Sequence, residues 1–392
     1  MISNILPKKI EDLFKKKRPT LLAVGPMSKN CVDASVEIAN EKNIPIILIA
    51  SRRQVDCKEL GGGYVNNWDT KEFSAYVQKL DKKKNVFLAR DHGGPWQNNL
   101  EIKKKLTEKQ AMKSAKLSFK NDIDSGFHFI HIDTSLSLSG IEKNQKKSFK
   151  RLFELYKYCS KYAKSKNKKI YFEIGTEEQS GTTNTPEELR QTLKKVIKFC
   201  ESEVLPKPSF VVIQSGTKVM ETKNVGSFDS PIRVENEIPA EIQLPKMIEL
   251  CETFNVMMKA HNTDYLSETA LSWHPKIGIH AANVAPEFGV RETLSLIKVM
   301  DELKLTQLKK KFNDISFKSK KWKKWVIDKK MLSKEDMSII CGHYNFSKKE
   351  FLIIKKNLDE IFFKKKKQRL DDYLKLEIKK DILKYLKNFN IL

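Results

Sequence analysis

The chain has 392 residues, 74 of them Lys or Arg and 49 Asp or Glu, for a formal charge of +25. An apolar share of 40% is enough for a packed core and excludes wholesale disorder, while no apolar run approaches the ~20 residues that cross a bilayer. The start, MISNILPKKIEDLFKKK, lacks a secretory signal, and the six cysteines show no CxxC spacing for a disulfide framework or thiolate zinc site, so the expectation is a cytoplasmic protein.

Short apolar, β-branched runs recur every 20–45 residues. In chain order they are TLLAVG (20–25), PIILIAS (45–51), NVFLARD (85–91), FHFIHID (127–133), KIYFEIG (169–175), FVVIQSG (210–216), VMMKAHN (256–262) and KIGIHAANV (276–284). Each has the length of a buried strand. Between most of them runs a segment with 3.6-residue apolar rhythm, as in PEELRQTLKKVIKFC (186–200), where Pro186 suits a first helical turn. The segment after VMMKAHN is short, which predicts an abbreviated seventh helix. Eight βα units in this length predict an α/β fold of the TIM (β/α)8 class. From Leu303 the pattern becomes continuously helical, Lys-rich and studded with aromatics (Trp322, Trp325, Phe346, Phe351, Phe362, Phe363). The expected division is a barrel over 1–302 and a helical extension over 303–392.

The extension is the more basic part: residues 301–392 carry 26 Lys+Arg and 13 Asp+Glu, whereas the first 300 carry 48 and 36. Such charge attracts nucleic acid or anionic surfaces. The excess is nearly all lysine, however, spread over helical faces without a zinc-finger, RNP-like or Walker pattern. A solvated surface is therefore the plainer reading, and neither a nucleic-acid nor a membrane partner is expected.

In a TIM barrel, chemistry belongs at the carboxyl ends of the strands. The polar residues collect there: Arg90-Asp91-His92-Gly93-Gly94, His131-Ile132-Asp133, Glu173-Ile174-Gly175-Thr176-Glu177, Gln214-Ser215-Gly216-Thr217 and His261-Asn262-Thr263-Asp264. Alternation puts Phe127, Phe129, His131 and Asp133 on one face, and Tyr171, Glu173 and Glu177 on another. His92, Glu173 and His261 converge from different strands and suit a divalent ion such as Zn²⁺ with open positions. Such an ion polarises a carbonyl while an adjacent carboxylate, Asp91, removes a hydroxyl proton; Glu177 is a second candidate proton carrier. His131, one layer deeper than Asp133, reads as a structural hydrogen-bonding group. His128, His274 and His343 read as non-functional.

These residues lie in stretches that resemble a known family. GGGY (61–64), RDHGGPWQ (90–97), GFHFIHIDTSLS (126–137), EIGTEE (173–178), VVIQSG (211–216), AHNTDY (260–265), FGVRE (288–292), KWKKW (321–325) and HYNFSKKE (343–350) are similar to the Z-type, so-called non-catalytic subunits of tagatose-1,6-bisphosphate aldolase. That family is related to the class II, metal-dependent aldolases. The resemblance implies a TIM barrel with a helical C-terminal region. It makes Asp91 the catalytic acid–base group, and His92, Glu173 and His261 the metal-ligand positions. Asp133, Gln214, Ser215, Gly216, Thr217, Asp264 and Asn283 become the substrate contacts, with backbone N–H groups of 215–217 offered to a phosphate. A sugar phosphate is the implied substrate, and a separate aldolase subunit or a second copy of the chain the implied partner.

Several positions depart from the catalytic aldolases. Gln214 replaces a histidine, and Asn262-Thr263-Asp264 stands where a glycine-rich phosphate loop is usual. Ala281-Ala282-Asn283 also departs from the Z-type pattern, and the neighbouring His280 is a weaker candidate ligand, because alternation turns it away from Asn283. Two functions follow: metal-assisted aldol cleavage or 4-epimerisation of a ketose (bis)phosphate, or a non-catalytic subunit that stabilises a separate aldolase.

Overall fold

The computed structural model describes residues 5–175, 185–228, 230 and 238–392. Eight parallel strands close a barrel in sequential order: β1 Leu21–Val24, β2 Ile46–Ser51, β3 Val86–Gly93, β4 Phe129–Asp133, β5 Tyr171–Gly175, β6 Phe210–Ile213, β7 Met257–Ala260 and β8 Ala281–Val284. Closure is direct, with Leu21 opposite Ala281 and Val24 opposite Val284. The eighth strand is shorter than the apolar run that announces it. Lys276 and Ile277 end the preceding helix, Gly278 at φ +96° turns the chain, and His280 donates its N–H to Met258 O before β8 begins.

The helices are α1 Lys8–Lys16, α2 Lys29–Lys42, α3 Thr70–Leu80, α4 Asn99–Lys103, α5 Glu108–Asp124, α6 Gln145–Ser165, α7 Pro186–Ser202, α8 Ala240–Thr253, α9 Glu268–Ile277 and α10 Pro286–Glu302. Local chemistry sets many of their starts. Asp69 with Glu72, Thr107 with Gln110, and Thr185 with Glu188 form capping boxes at α3, α5 and α7, with Pro186 inside the first turn of α7. The short connection between β7 and β8 leaves room only for the ten residues of α9.

Strands buried on both faces need apolar residues in both directions. Leu21, Ala23, Ile47, Ile49, Phe87, Ala89, Phe129, Phe210, Met257 and Ala281 fill the lower interior, which Ile10 of α1 and Leu6 just before it stopper. The opposite faces meet the helices in one continuous outer core. Phe127, just before β4, joins that outer core rather than the interior row of Phe129, His131 and Asp133.

After α10 come α11 Thr306–Lys318, α12 Lys334–Cys341, α13 Lys349–Lys366 and α14 Leu370–Asn388. α11 and α13 share a core of their own around Phe312, Phe351 and Leu358. α14 starts in that core with Leu370 and Leu374 and then leaves it: Ile378, Ile382, Tyr385, Leu386 and Phe389 belong to the barrel's outer core. The end of the chain reaches the beginning, because Thr20 donates its N–H to Phe389 O at 3.0 Å and Lys17 Nζ to Ile391 O at 2.8 Å. Part of the extension's positive charge is paired here. Lys375 and Lys379 pair with Glu37, Lys379 also with Glu41, Lys384 with Glu287, and Arg291 grips Asp381. Among the described residues no helix is long and apolar enough to cross a membrane.

Two buried polar contacts give tests of the packing. Arg90 points outward from β3 and clasps Asp122 of α5 at 2.8 and 2.5 Å while donating to Ala50 O and Val55 O. Arg90→Met leaves the Asp122 charge uncompensated and is expected to lower the unfolding free energy by about 3–5 kcal/mol, measured by denaturant titration. Glu292 of α10 accepts hydrogen bonds from Ser28 and Asn30, and burial pushes its carboxyl up from 4.5 to about 7. A raised folded-state value means that the stability it confers is complete below about 4.5 and is lost as pH rises through about 7. Glu292→Gln is therefore expected to flatten this part of the stability–pH curve.

Candidate metal centre at the barrel mouth

The site starts from an irregularity in β3. Ala89 and Arg90 oppose Phe129 and Ile130, but Gly93 opposes Ile132, so β3 carries one extra residue against His131. This bulge lets Asp91 and His92 both reach the mouth, where strict alternation would separate them. His92 has φ +42°, a left-handed conformation that costs a non-glycine residue about 1–3 kcal/mol. The two glycines that follow allow the close approach, since a Cβ at Gly93 would meet His131 O at 2.6 Å and one at Gly94 would run into Asp133 O.

Four donor atoms, one each from Asp91, His131, Glu173 and His261, lie within 4.8 Å of one another. His131 Nδ1 is 3.5 Å from Asp91 Oδ1 and 3.5 Å from Glu173 Oε1. His261 Nε2 is 3.3 Å from Glu173 Oε1 and 4.0 Å from Asp91 Oδ1. Hydrogen bonds set the tautomers. The His92 N–H donates to His131 Nδ1 at 3.2 Å, leaving that ring's proton on Nε2, which is buried without a partner. The Asn283 amide donates to Asp91 Oδ1 at 3.2 Å and to His261 Nε2 at 3.0 Å. Two imidazole nitrogens and two carboxylate oxygens thus lie around a common point, the N/O donor types that suit a divalent cation, and an ion bound there would take over the nitrogen lone pairs from the His92 and Asn283 donors.

Glu173 is held ionised from below. Lys259 of β7 is 1% exposed and donates from Nζ to Glu173 Oε2 at 2.6 Å. Burial pushes the Glu173 carboxyl up, but Lys259, with His131 and His261, brings it down to about 2. At the mouth, His92 Nδ1 meets Asp133 Oδ2 at 2.5 Å, and Asp133 also accepts from Gln97 Nε2 at 3.0 Å and Ser135 N at 2.8 Å. Against burial, Asp91 and Asp133 hold the His92 ring up at about 9, and His92 in turn holds Asp133 down at about 2. Asp91, beside the same histidines, lies well below the usual carboxylate range.

The expected residues thus fall into several environments. Asp91, Glu173 and His261 converge in the donor group, and Asn283 hydrogen-bonds to two of them. His92 stands beside the group, its ring centroid 5.2 Å from that of His261, but its Nδ1 is engaged by Asp133. His131, read from the sequence as structural, contributes a donor atom. Ser215, Gly216 and Thr217 line the β6 loop, where Thr217 Oγ1 donates to His261 O at 2.5 Å; Gln214 precedes them, half-buried. Two expectations are corrected. Asp264 is not open to substrate: its Oδ1 accepts the N–H groups of Ala285 and Glu287 at 2.9 Å and caps α10, with burial beside Glu287 pushing it up to about 7. His280 is no ligand: it precedes β8, accepts the Met258 N–H at 3.2 Å and packs 6.1 Å from Phe14 of the stopper helix, at the opposite end of the barrel. Glu177 lies outside the described residues. Lys259 was missed, although a lysine two residues before His261 in an apolar strand shares its inward row.

Fold and site define a closed (β/α)8 barrel with a donor cluster suited to a divalent cation at its carboxyl end. Residues 9–350 match the family described as D-tagatose-1,6-bisphosphate aldolase subunit GatZ/KbaZ-like, and the chain belongs to that family. Among solved structures it is similar to a probable tagatose 6 phosphate kinase from Sinorhizobium meliloti 1021, with 17% identity, TM-score 0.70, and coverage of 94% of this chain and 100% of that one. It is also similar to the fructose-bisphosphate aldolase of Campylobacter jejuni, at 12% identity, TM-score 0.55, and coverage of 98% and 94%. Structures of fructuronate-tagaturonate epimerase UxaE from Cohnella laeviribosi give 10–12% identity, TM-scores of 0.55 to 0.57, and coverage of 95–96% of this chain and 82% of that one. At these identities the likeness is one of fold.

Two substitutions test the centre. A Cβ at Gly175 would lie 2.6 Å from His131 Nε2, so Gly175→Ala is expected to displace that ring and weaken Zn²⁺ binding at least tenfold by calorimetry. Lys259→Met strands the Glu173 charge and is expected to destabilise the metal-free protein by about 3–5 kcal/mol. Added Zn²⁺ is expected to restore more of that stability than it adds to the wild type.

Proposed function

We propose that the chain is a metal-dependent enzyme acting on a ketose phosphate by retro-aldol chemistry, either cleaving it or epimerising it at C4. The observation that carries this reading is the convergence of Asp91, His131, Glu173 and His261 on one point at the mouth of the barrel. Glu173, His261 and His131 would hold a divalent ion, with Zn²⁺ suited to the mixed imidazole–carboxylate set. The bound ion would supply Lewis acidity toward a carbonyl oxygen and its neighbouring hydroxyl.

The chain's own groups would do the rest. Asp91 is the member of the cluster with solvent access, its side chain 17% exposed, and its ionised carboxylate would accept the C4 hydroxyl proton. The C3–C4 bond then breaks, its electron pair passing toward the C2 carbonyl oxygen as a C4 aldehyde forms. Release of the aldehyde, with the proton then delivered to C3 of the remaining enediolate, is cleavage; rotation and re-addition, with Asp91 returning the proton to the C4 oxygen, inverts C4. His92, held by Asp133, would donate a hydrogen bond to a substrate oxygen above the ion, and Asn283 would keep Asp91 and His261 in register. The six buried free cysteines accord with a reducing compartment, so we place the reaction in the cytoplasm.

A second reading draws on the family's own description as an aldolase subunit: the barrel would stabilise a separate catalytic subunit and keep its donor cluster as inheritance. Incubation with fructose 6-phosphate, tagatose 6-phosphate and the two bisphosphates, with and without Zn²⁺, separates the readings by product identification. Zn²⁺-dependent turnover by this chain alone is the expected result; turnover only after adding an aldolase subunit would favour the second. Metal analysis of variants should show His131→Ala and His261→Ala losing about nine-tenths of bound Zn²⁺. His92→Ala should keep the metal and lose at least 100-fold in kcat.

A further inference from the structure

We propose that Lys259 is a positioning residue for the metal centre: by holding Oε2 of Glu173 it confines that carboxylate to a single ligand oxygen and keeps positions on the ion free for the substrate's carbonyl and hydroxyl oxygens. That purpose rests on the metal-dependent reading above; the restraint itself rests on the geometry of the pair.

The two oxygens of Glu173 have different surroundings. Oε1 belongs to the donor group, 3.3 Å from His261 Nε2 and 3.5 Å from His131 Nδ1. Oε2 accepts from Lys259 Nζ at 2.6 Å. Neither side chain reaches solvent, with Glu173 0% and Lys259 1% exposed. They stand on β5 and β7, with β6 between them. Phe210 of β6 lies opposite Glu173 on one side and Met257 on the other, and its ring centroid is 5.7 Å from the ammonium. Lys259 is therefore enclosed by an apolar layer, and among the described residues Glu173 is the one carboxylate that pairs with it.

Ligation of an ion through both oxygens would draw Oε2 away from the ammonium and leave a buried cation unpaired, and breaking a buried pair in this way is strongly destabilising. Ligation through Oε1 alone keeps both partners satisfied. The same lysine also sets the charge of the centre. Asp91 and Glu173 are negative and Lys259 offsets one of them, so a divalent ion leaves a net positive charge there. That charge favours the electron density that collects on the C2 oxygen as the C3–C4 bond breaks. A neutral side chain at 259 would leave the ion fully cancelled by the two carboxylates and would let it bind more tightly.

Cobalt in place of zinc reports the restraint without calling on catalysis, because the visible absorption of Co²⁺ falls as its coordination number rises. In Lys259→Met, Glu173 is free to give both oxygens. The absorption per bound ion is expected to fall about twofold or more, and Zn²⁺ to bind about tenfold more tightly by calorimetry. Glu173→Gln offers one oxygen only, so adding Lys259→Met to it should leave the Co²⁺ spectrum unchanged. A change there would mean that Lys259 acts by another route and would overturn the proposal, even if the single Lys259→Met variant does not fold. X-ray absorption of Zn²⁺-loaded wild type needs no substitution: ligation by one oxygen keeps the carboxylate carbon farther from the ion than ligation by two. A lysine that only balanced the charge of Glu173 would alter stability and leave the spectrum alone. Equal Co²⁺ spectra in Lys259→Met and wild type, or two-oxygen ligation in wild type, would therefore overturn the proposal. Failure of wild type to take up either ion would overturn the metal-dependent reading together with it. The expected spectra without turnover of any sugar phosphate would instead remove the enzymatic reading and leave the restraint on Glu173 standing.

Discussion

The mouth of this barrel depends on one extra residue. Without the bulge in β3, Asp91 would face inward and His92 would turn into the helix layer beside Arg90. With it, the carboxylate, the imidazole and the His92 N–H that orients His131 all arrive from consecutive residues. The left-handed backbone at His92 and the two glycines beyond it have no role in an ordinary strand; they are what the bulge requires against His131 and Asp133.

The second organising constraint is charge. Asp91, Asp133 and Glu173 are buried close together, and each is answered differently. Glu173 has a permanent internal cation in Lys259, Asp133 has His92, and Asp91 has a hydrogen bond from Asn283 and the three histidines around it. This explains why the donor group can persist in a folded chain before any ion arrives. Outside the barrel, Lys375, Lys379 and Lys384 of α14 pair with acids on α2 and α10, so part of the basic surface is an internal seam, while the +25 excess itself stays uncompensated.

The barrel was readable from the sequence because period-two apolar runs and 3.6-residue stretches alternate eight times, and all eight runs became strands. Asp91, Glu173 and His261 were readable for a related reason: polar residues at the ends of such runs have nowhere to go but the mouth. What alternation could not show is the break in alternation itself. Asp91-His92 looks like any strand end until its partner strand is known, so the nearness of both residues to His131 was invisible. His131 was discounted because it lies a layer below Asp133, yet depth is what places its Nδ1 between two carboxylates. Lys259 escaped notice among so many lysines, although its position in an apolar strand sets it apart. Asp264 and His280 were misread because a capping role and the far end of a barrel depend on contacts made across the fold.

The contact of the N-terminal part with α14 has a consequence for how this protein is made. α14 packs on α2 and joins the barrel's outer core, and Thr20 donates its N–H to Phe389, a residue far along the chain. Until α14 has been synthesised, Glu37 and Glu41 of α2 and Glu287 of α10 stand without their lysines. The N-terminal part of the barrel therefore cannot complete its packing on its own schedule but waits for a helix from the extension.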